Sequence, residues 1–259
     1  VESVSAPGQV WDTKKTHVQA VVAGFGTPAA MRTVSLVANG KTLAMQTVNV
    51  PADGRASVAF ESLDVPYGFT RCEVRIDAAD SFPTDDVSLF AVERSDPRRA
   101  LFVHESNDSR SPLYFRAALA SAAESAFALD TITSNQLSGA SFAKYAFVVL
   151  SDVASMSSST ESDLVKYVGT GGSVLIAEGA SAAGHPHIPV FGGNLAESRN
   201  YSRNTGRSLV VGDTDPSHPS IEKSDRWAGV QFYFAVHVDP AGSRVVVRLT
   251  DQTPLLLEK

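Results

Sequence analysis

The hydrophobic pattern of this chain changes its period once, at Ser95-Asp96-Pro97-Arg98-Arg99, and that change limits what the polypeptide can fold into. Before it, apolar and polar residues alternate with the two-residue period of half-buried strands. After it, short apolar runs alternate with stretches of helical period, the pattern of a parallel sheet covered by helices. Pro97 and its charged neighbours interrupt both patterns, so two domains are expected, 1–96 and 97–259. The length of 259 residues is enough for both.

In the first part, strands are expected over His17 to Ala23, Thr33 to Val37, Thr42 to Val50, Ala56 to Phe60, Phe69 to Ile76 and Val87 to Val92. Asn39-Gly40 is a strong hairpin signal, because both residues tolerate positive φ, and Asp53-Gly54 marks another turn. Short strands separated by such turns predict an immunoglobulin-like β-sandwich. Cys72 alternates with Val74 and Ile76 and reads as a small core residue. As the single cysteine, it can form neither an internal disulfide nor a zinc cluster.

In the second part, Ala100 to His104, Phe127 to Leu129, Ala146 to Leu150 and Ser173 to Ala177 read as strands. Ser111 and Pro112 open a helix as cap and first residue, with an apolar stripe of Phe115, Ala118, Leu119 and Ala122. Ser158 and Glu161 have capping-box spacing and open a second helix, whose buried face is expected to be Leu164, Val165 and Val168. Gly169, Gly171 and Gly172 follow that helix and precede a strand. A dinucleotide fingerprint needs the reverse order, so these glycines read as a left-handed helix end. The expectation is an α/β three-layer domain with a mainly parallel sheet. Residues 180–207 read as irregular loop. Leu209 to Val211, Gln231 to Val238, Arg244 to Leu249 and Leu255 to Leu257 read as further strands.

An open parallel sheet binds ligands beyond the carboxyl ends of its strands. That rule selects His104, Glu105, Asn107 and Asp108, then Ser151 and Asp152, then Glu178. If the chain is an enzyme, His104, Glu105 and Glu178 are its catalytic candidates. A catalytic Glu178 would need burial or a neighbouring carboxylate such as Glu105 to lift its pKa. In a non-catalytic domain, Glu178 is expected to be partly solvated or bonded to backbone N–H groups, with an ordinary pKa. No Gly-x-Ser-x-Gly elbow occurs, and Cys72 lies in the other domain, so no motif marks a nucleophile.

Asp213, Asp215 and His218 place three potential metal ligands within six residues, and His185 with His187 adds a pair. Gly212, Pro216 and Pro219 make the first segment read as an ordinary turn, so no metal or cofactor is assigned. Trp227, Phe232, Tyr233 and Phe234 are an aromatic set suited to a sugar, to a protein partner or to a half-buried strand. A net charge of −6 without a basic run excludes a nucleic-acid footprint.

Val34 to Lys41, Ala56 to Phe60, and Ile76-Asp77 followed by Thr84-Asp85-Asp86 resemble the strands and turns of CARDB (cell-adhesion-related) modules, with Asp86 where that family has Asn. Arg99 to Gly179 resembles the class I glutamine amidotransferase-like fold, on Ala100 to Val103, Tyr145 to Leu150 and Gly171 to Ala177. The catalytic Cys of that family would fall at or near Glu178, so the resemblance implies the fold without the activity. Its His-Pro-Glu element is echoed in His218, Pro219 and Glu222.

The two resemblances in this order resemble the exported portion of BatA-like, aerotolerance-related bacterial membrane proteins. His218-Pro219, Trp227 to Tyr233 and Thr253 to Leu257 are similar to their downstream stretch. The resemblance implies membrane helices outside this chain, a place on the periplasmic side of the cytoplasmic membrane, and protein partners in a membrane complex. A start at Val1 without Met, and an end at Leu255 to Lys259 that reads as a strand cut short, fit a soluble region of a longer protein. The expected function is therefore a non-catalytic interaction or scaffolding region. The alternatives are a hydrolase or amidase at His104, Glu105 and Glu178, or a carbohydrate-binding module on the C-terminal aromatics.

Overall fold

The computed structural model describes residues 1–77, 82–121, 126–185, 187–200, 206–221, 227, 229–240 and 242–259, with the backbone alone for 196–200. Ala122 and Glu222 lie outside the described residues. The chain divides into two compact units, Val1–Pro97 and Arg98–Lys259. Most of the regular structure is β-strand, arranged in several sheets, with few helices.

The first unit contains Ser3–Ser5 (β1), Gln9–Val10 (β2), Val18–Ala23 (β3), Ala30–Ala38 (β4), Lys41–Val50 (β5), Arg55–Phe60 (β6), Gly68–Ile76 (β7) and Val87–Arg94 (β8). They form two sheets, ordered β1-β3-β6 and β2-β8-β7-β4-β5. Alternation along each strand sends one set of side chains inward. Val18, Val22, Leu36, Phe60, Cys72 and Val74 thereby meet in a single buried cluster. Each fully buried side chain of this size contributes roughly 1.5–3 kcal/mol. Asn39 and Gly40 both have positive φ, 48° and 79°, and close the β4–β5 hairpin with Ala38 opposite Lys41. Cys72 is a core residue, and burial pushes its thiol pKa up. The short strands β1 and β2 carry too few residues to show a period.

The second unit opens with Arg98–His104 (β9), Ser111–Ser121 (α1), Phe127–Thr133 (β10), Phe147–Ser151 (β11), Ser158–Gly169 (α2) and Ser173–Ala177 (β12). The four strands form a wholly parallel sheet ordered β10-β9-β11-β12. Phe115 of α1 packs on Phe102 of β9, with ring centroids 4.9 Å apart. Leu164 of α2 instead clusters with Leu101, Val103 and Leu150. Residues 101 and 102 face opposite sides of a strand, so the two helices cover opposite faces. The chain leaves β9 toward β10 in one direction and leaves β11 toward β12 in the other. The point where the winding reverses therefore lies between β9 and β11.

Both helices depart from expectation. The cap of α2 is Ser157, whose hydroxyl accepts the Thr160 N–H at 3.2 Å. Its buried face is Thr160, Leu164 and Tyr167, whereas Val165 and Val168 are 50% and 41% exposed. A buried threonine hides in a hydrophobicity count, and two valines on the outer face mislead it. Glu161 does not close a capping box; it accepts from Val190 N–H at 3.0 Å and pairs with His187 at 2.8 Å. At α1 the Asp108 carboxylate takes the N–H groups of Arg110 and Ser111, a role expected of the Ser111 hydroxyl. Gly171, at φ 96°, ends α2 in the left-handed turn that its glycines predict.

The remaining strands are Leu195–Asn200 (β13), Val211–Thr214 (β14), Phe234–Val238 (β15), Arg244–Leu249 (β16) and Pro254–Glu258 (β17). All pair antiparallel, as β13-β15 and β14-β16-β17. A mainly parallel sheet therefore describes the β9–β12 segment alone. β13 falls within the stretch read as loop, because Leu195-Ala-Glu-Ser-Arg-Asn200 is polar and does not alternate. No helix among the described residues is long and apolar enough to cross a membrane.

Candidate functional site: a strand-end crevice

At the reversal point the carboxyl ends of β9, β11 and β12 stop together and leave a crevice of about 500 Å³. Glu105, Asn107 and Asp108 enter it from the β9–α1 connection, with Ser111 at the start of α1. Ser151 and Asp152 come from the end of β11, and Ala177, Glu178, Gly179 and Ser181 from the end of β12. Register puts Ser151 in the middle, opposite both His104 and Ala177. None of the lining residues is basic.

Three of the four carboxylates are committed to the backbone. Glu105 accepts the Ala154 N–H at 3.0 Å and the Ser134 hydroxyl at 2.8 Å, tying the β9 loop to the segments after β10 and β11. Asp108 holds the first turn of α1. Burial opposes its ionisation, but the Ser111 hydroxyl and the N–H groups of Ser111 and Arg110 win, so its pKa is lowered. Asp152 accepts the Ser181 N–H at 3.1 Å and the Ala182 N–H at 2.8 Å, one on each oxygen. Asp152 adopts φ 49°, a left-handed conformation that Asp tolerates better than most residues. Gly179 is required beside it, because a Cβ there would stand 2.5 Å from the Asp152 Cγ.

Glu178 is different. Among the described residues its carboxylate has no hydrogen-bond partner. Burial, with the Asp152 charge second, raises its pKa from 4.5 to about 6. This overturns the expectation of an ordinary pKa, whereas the half-buried side chain meets the expectation of partial solvation. The neighbouring charge is Asp152, because Glu105 is turned to its own partners.

A stability prediction follows. The folded chain holds the Glu178 proton more tightly than the unfolded one. The contribution is therefore present in full below about pH 4.5 and lost as pH rises through about 6. Discounted for partial exposure, the loss is about 1 kcal/mol. Glu178→Gln should remove that part of the slope between those pH values, measured as urea midpoints. An unchanged slope in the variant would reject the assignment.

The other candidates do not gather here. His104 is half-buried beside Phe102, its Nδ1 2.8 Å from the Glu105 carbonyl oxygen, and it does not line the crevice. Asp213, Asp215 and His218 do not converge. Asp215 accepts the Ser217 hydroxyl at 2.7 Å and Arg244 at 2.8 Å, which together lower its pKa to about 2. His218 Nε2 lies 3.5 Å from Glu258, and Asp213 accepts from Gln252 at 3.4 Å. No group of three or more potential metal-ligating side chains exists among the described residues. His187 is used by Glu161. Phe234 lies in β15, Phe232 bridges Leu209 through its backbone, and Trp227 is half-buried. Ser151 and Asp152 line the crevice beside Glu105 and Glu178, whereas His104, the third catalytic candidate, does not. The signal for them is positional, the end of the strand beside the winding reversal.

A family profile described as "Domain of unknown function (DUF7407)" matches residues 10–89. No curated protein matches the chain in sequence. Among solved structures, the N-terminal part is similar to the CARDB domain of a Pyrococcus furiosus protein in complex with di-metal ions. That match has 18% identity and a TM-score of 0.33, and it covers 36% of this chain and 84% of that one. A domain of a Methanosarcina acetivorans protein assigned to the cell surface matches at 17% identity and TM-score 0.31, covering 36% and 87%. A Paenibacillus cycloisomaltooligosaccharide glucanotransferase matches at 16% identity and TM-score 0.29, covering 68% of this chain and 27% of its own.

Proposed function

We propose that this chain is the non-catalytic, ligand-binding and interaction region of a bacterial membrane-anchored protein, held on the periplasmic side of the cytoplasmic membrane. Its second unit is an amidotransferase-like α/β unit that keeps the strand-end crevice without the nucleophile. The observation that carries this reading is the backbone at Glu178. A nucleophile elbow is a sharp, strained turn that lifts its side chain out of the sheet. Glu178 follows β12 at the elbow position, yet its φ is not left-handed; the strained residue is Asp152, across the crevice mouth. Cys72, the one thiol, is buried in the core of the first unit. The order of a sandwich and then a parallel-sheet unit supports the likeness to BatA-like exported regions, and with it protein partners in a membrane complex.

One observation favours an alternative. A carboxylic acid with a pKa of about 6 in a crevice is suited to general acid–base work in a hydrolase. Generic amide, ester and phosphate substrates distinguish the two. The binding reading expects no turnover by the unaltered chain. Turnover that falls about tenfold or more in a folded Glu178→Gln variant would replace it with the hydrolase reading.

A further inference from the structure

Two polar groups in the crevice are left over when its internal bonds are counted. Ser151 is 9% exposed, lines the crevice, and its hydroxyl has no hydrogen-bond partner among the described residues. The residue is buried but its hydroxyl opens onto the crevice, so its hydrogen-bonding capacity is available to a group that arrives from outside. The Glu178 carboxylate is the second. The other three carboxylates are turned to N–H and O–H donors of the chain itself, yet they keep their charge around the cavity.

The vacant valences and the surrounding charge together describe a ligand. With several carboxylates and no basic side chain in the lining, the crevice rejects anions and attracts a cation. A bare metal ion is disfavoured, because no set of three or more ligating side chains converges among the described residues. An organic cation needs only one carboxylate at charge-assisted hydrogen-bond distance. The neutral lining groups, Asn107, Ser111, Ser151 and Ser181, suit hydroxyls on the same molecule. About 500 Å³ is room for one ring-sized polar molecule.

We propose that the crevice between the ends of β9, β11 and β12 binds a small hydroxylated primary amine of the amino-sugar class, its ammonium group on Glu178 and a hydroxyl or the ammonium on Ser151. This rests on reading the second unit as a binding module. Near neutral pH Glu178 is mostly ionised, so the ammonium meets a carboxylate that already carries its charge, and no covalent bond changes.

The probe is glucosamine, with N-acetylglucosamine as the ring without the charge, titrated into the whole chain by calorimetry near neutral pH. Glucosamine is expected to bind at least about tenfold more tightly than N-acetylglucosamine, and Glu178→Gln to abolish that preference, since one charge-assisted hydrogen bond is worth about that factor. Ser151→Ala should weaken glucosamine by about fivefold. In the unaltered chain the backbone amide resonances of Asp152, Glu178 and Ser181 should shift on adding glucosamine, a readout that needs no variant to fold. Equal affinity for both sugars, no binding of glucosamine at about 10 mM, or amide shifts confined to other residues would overturn the proposal. Binding accompanied by turnover would keep this inference and overturn the non-catalytic reading. Absence of both would do the reverse.

Discussion

Leu164→Ala is expected to cost the second unit about 2–5 kcal/mol, the range for truncating a fully buried leucine. Leu164 is 0% exposed and seals α2 onto the face of the sheet that carries Leu101, Val103 and Leu150. Part of the cost is lost transfer free energy, and part is the cavity that a four-stranded sheet with one helix on this face cannot close. The neighbouring Val165→Ala removes a side chain that is 50% exposed and should cost less than about 1 kcal/mol. Urea midpoints followed by far-ultraviolet circular dichroism separate the two. Similar costs would mean that α2 presents a different face to the sheet.

Gly179→Ala should have the larger effect on the site. The new Cβ would lie 2.5 Å from the Asp152 Cγ and within 2.8 Å of both carboxylate oxygens. Asp152 cannot move aside freely, because its oxygens hold Ser181 and Ala182, and its backbone is already left-handed. Overpacking of this kind costs about 1–3 kcal/mol. It should also displace the amide resonances of Ser181 and Ala182, whose N–H groups lose their charged acceptor. At Gly184 an added Cβ meets open space, so Gly184→Ala is the control and should change stability by no more than about 1 kcal/mol. Equal and small effects at both positions would refute the described contact.

Much of the framework was legible in the sequence for a simple reason. In the first unit Val18–Ala23 and Gly68–Ile76 bury alternate residues, so the two-residue period is written plainly there. The four parallel strands are short apolar runs between helices, and they are equally legible. What failed were features decided by other parts of the chain. β13 is polar and is a strand only because β15 offers it a partner. The outward face of α2 carries two valines, which periodicity assigns to the core. The site was legible as a place, through the strand-end rule, but not as a hierarchy. Nothing local to Glu105 reveals that Ala154 and Ser134 will occupy it, and nothing local to Glu178 reveals that Asp152 will face it.

The parallel sheet has one further property. β12 is its last strand, and Leu175 on it is 46% exposed. Its outer row of peptide groups has no strand beside it among the described residues. A bare edge of this sort is a template on which another extended chain can hydrogen-bond, and a solvent-facing leucine adds adhesion. At high protein concentration, association of copies should therefore begin at Ser173–Ala177. A lysine in place of Leu175 would discourage it while leaving the crevice residues untouched. The strand that ends at the crevice is thus also an open edge, so copies that pair along it would do so beside the pocket.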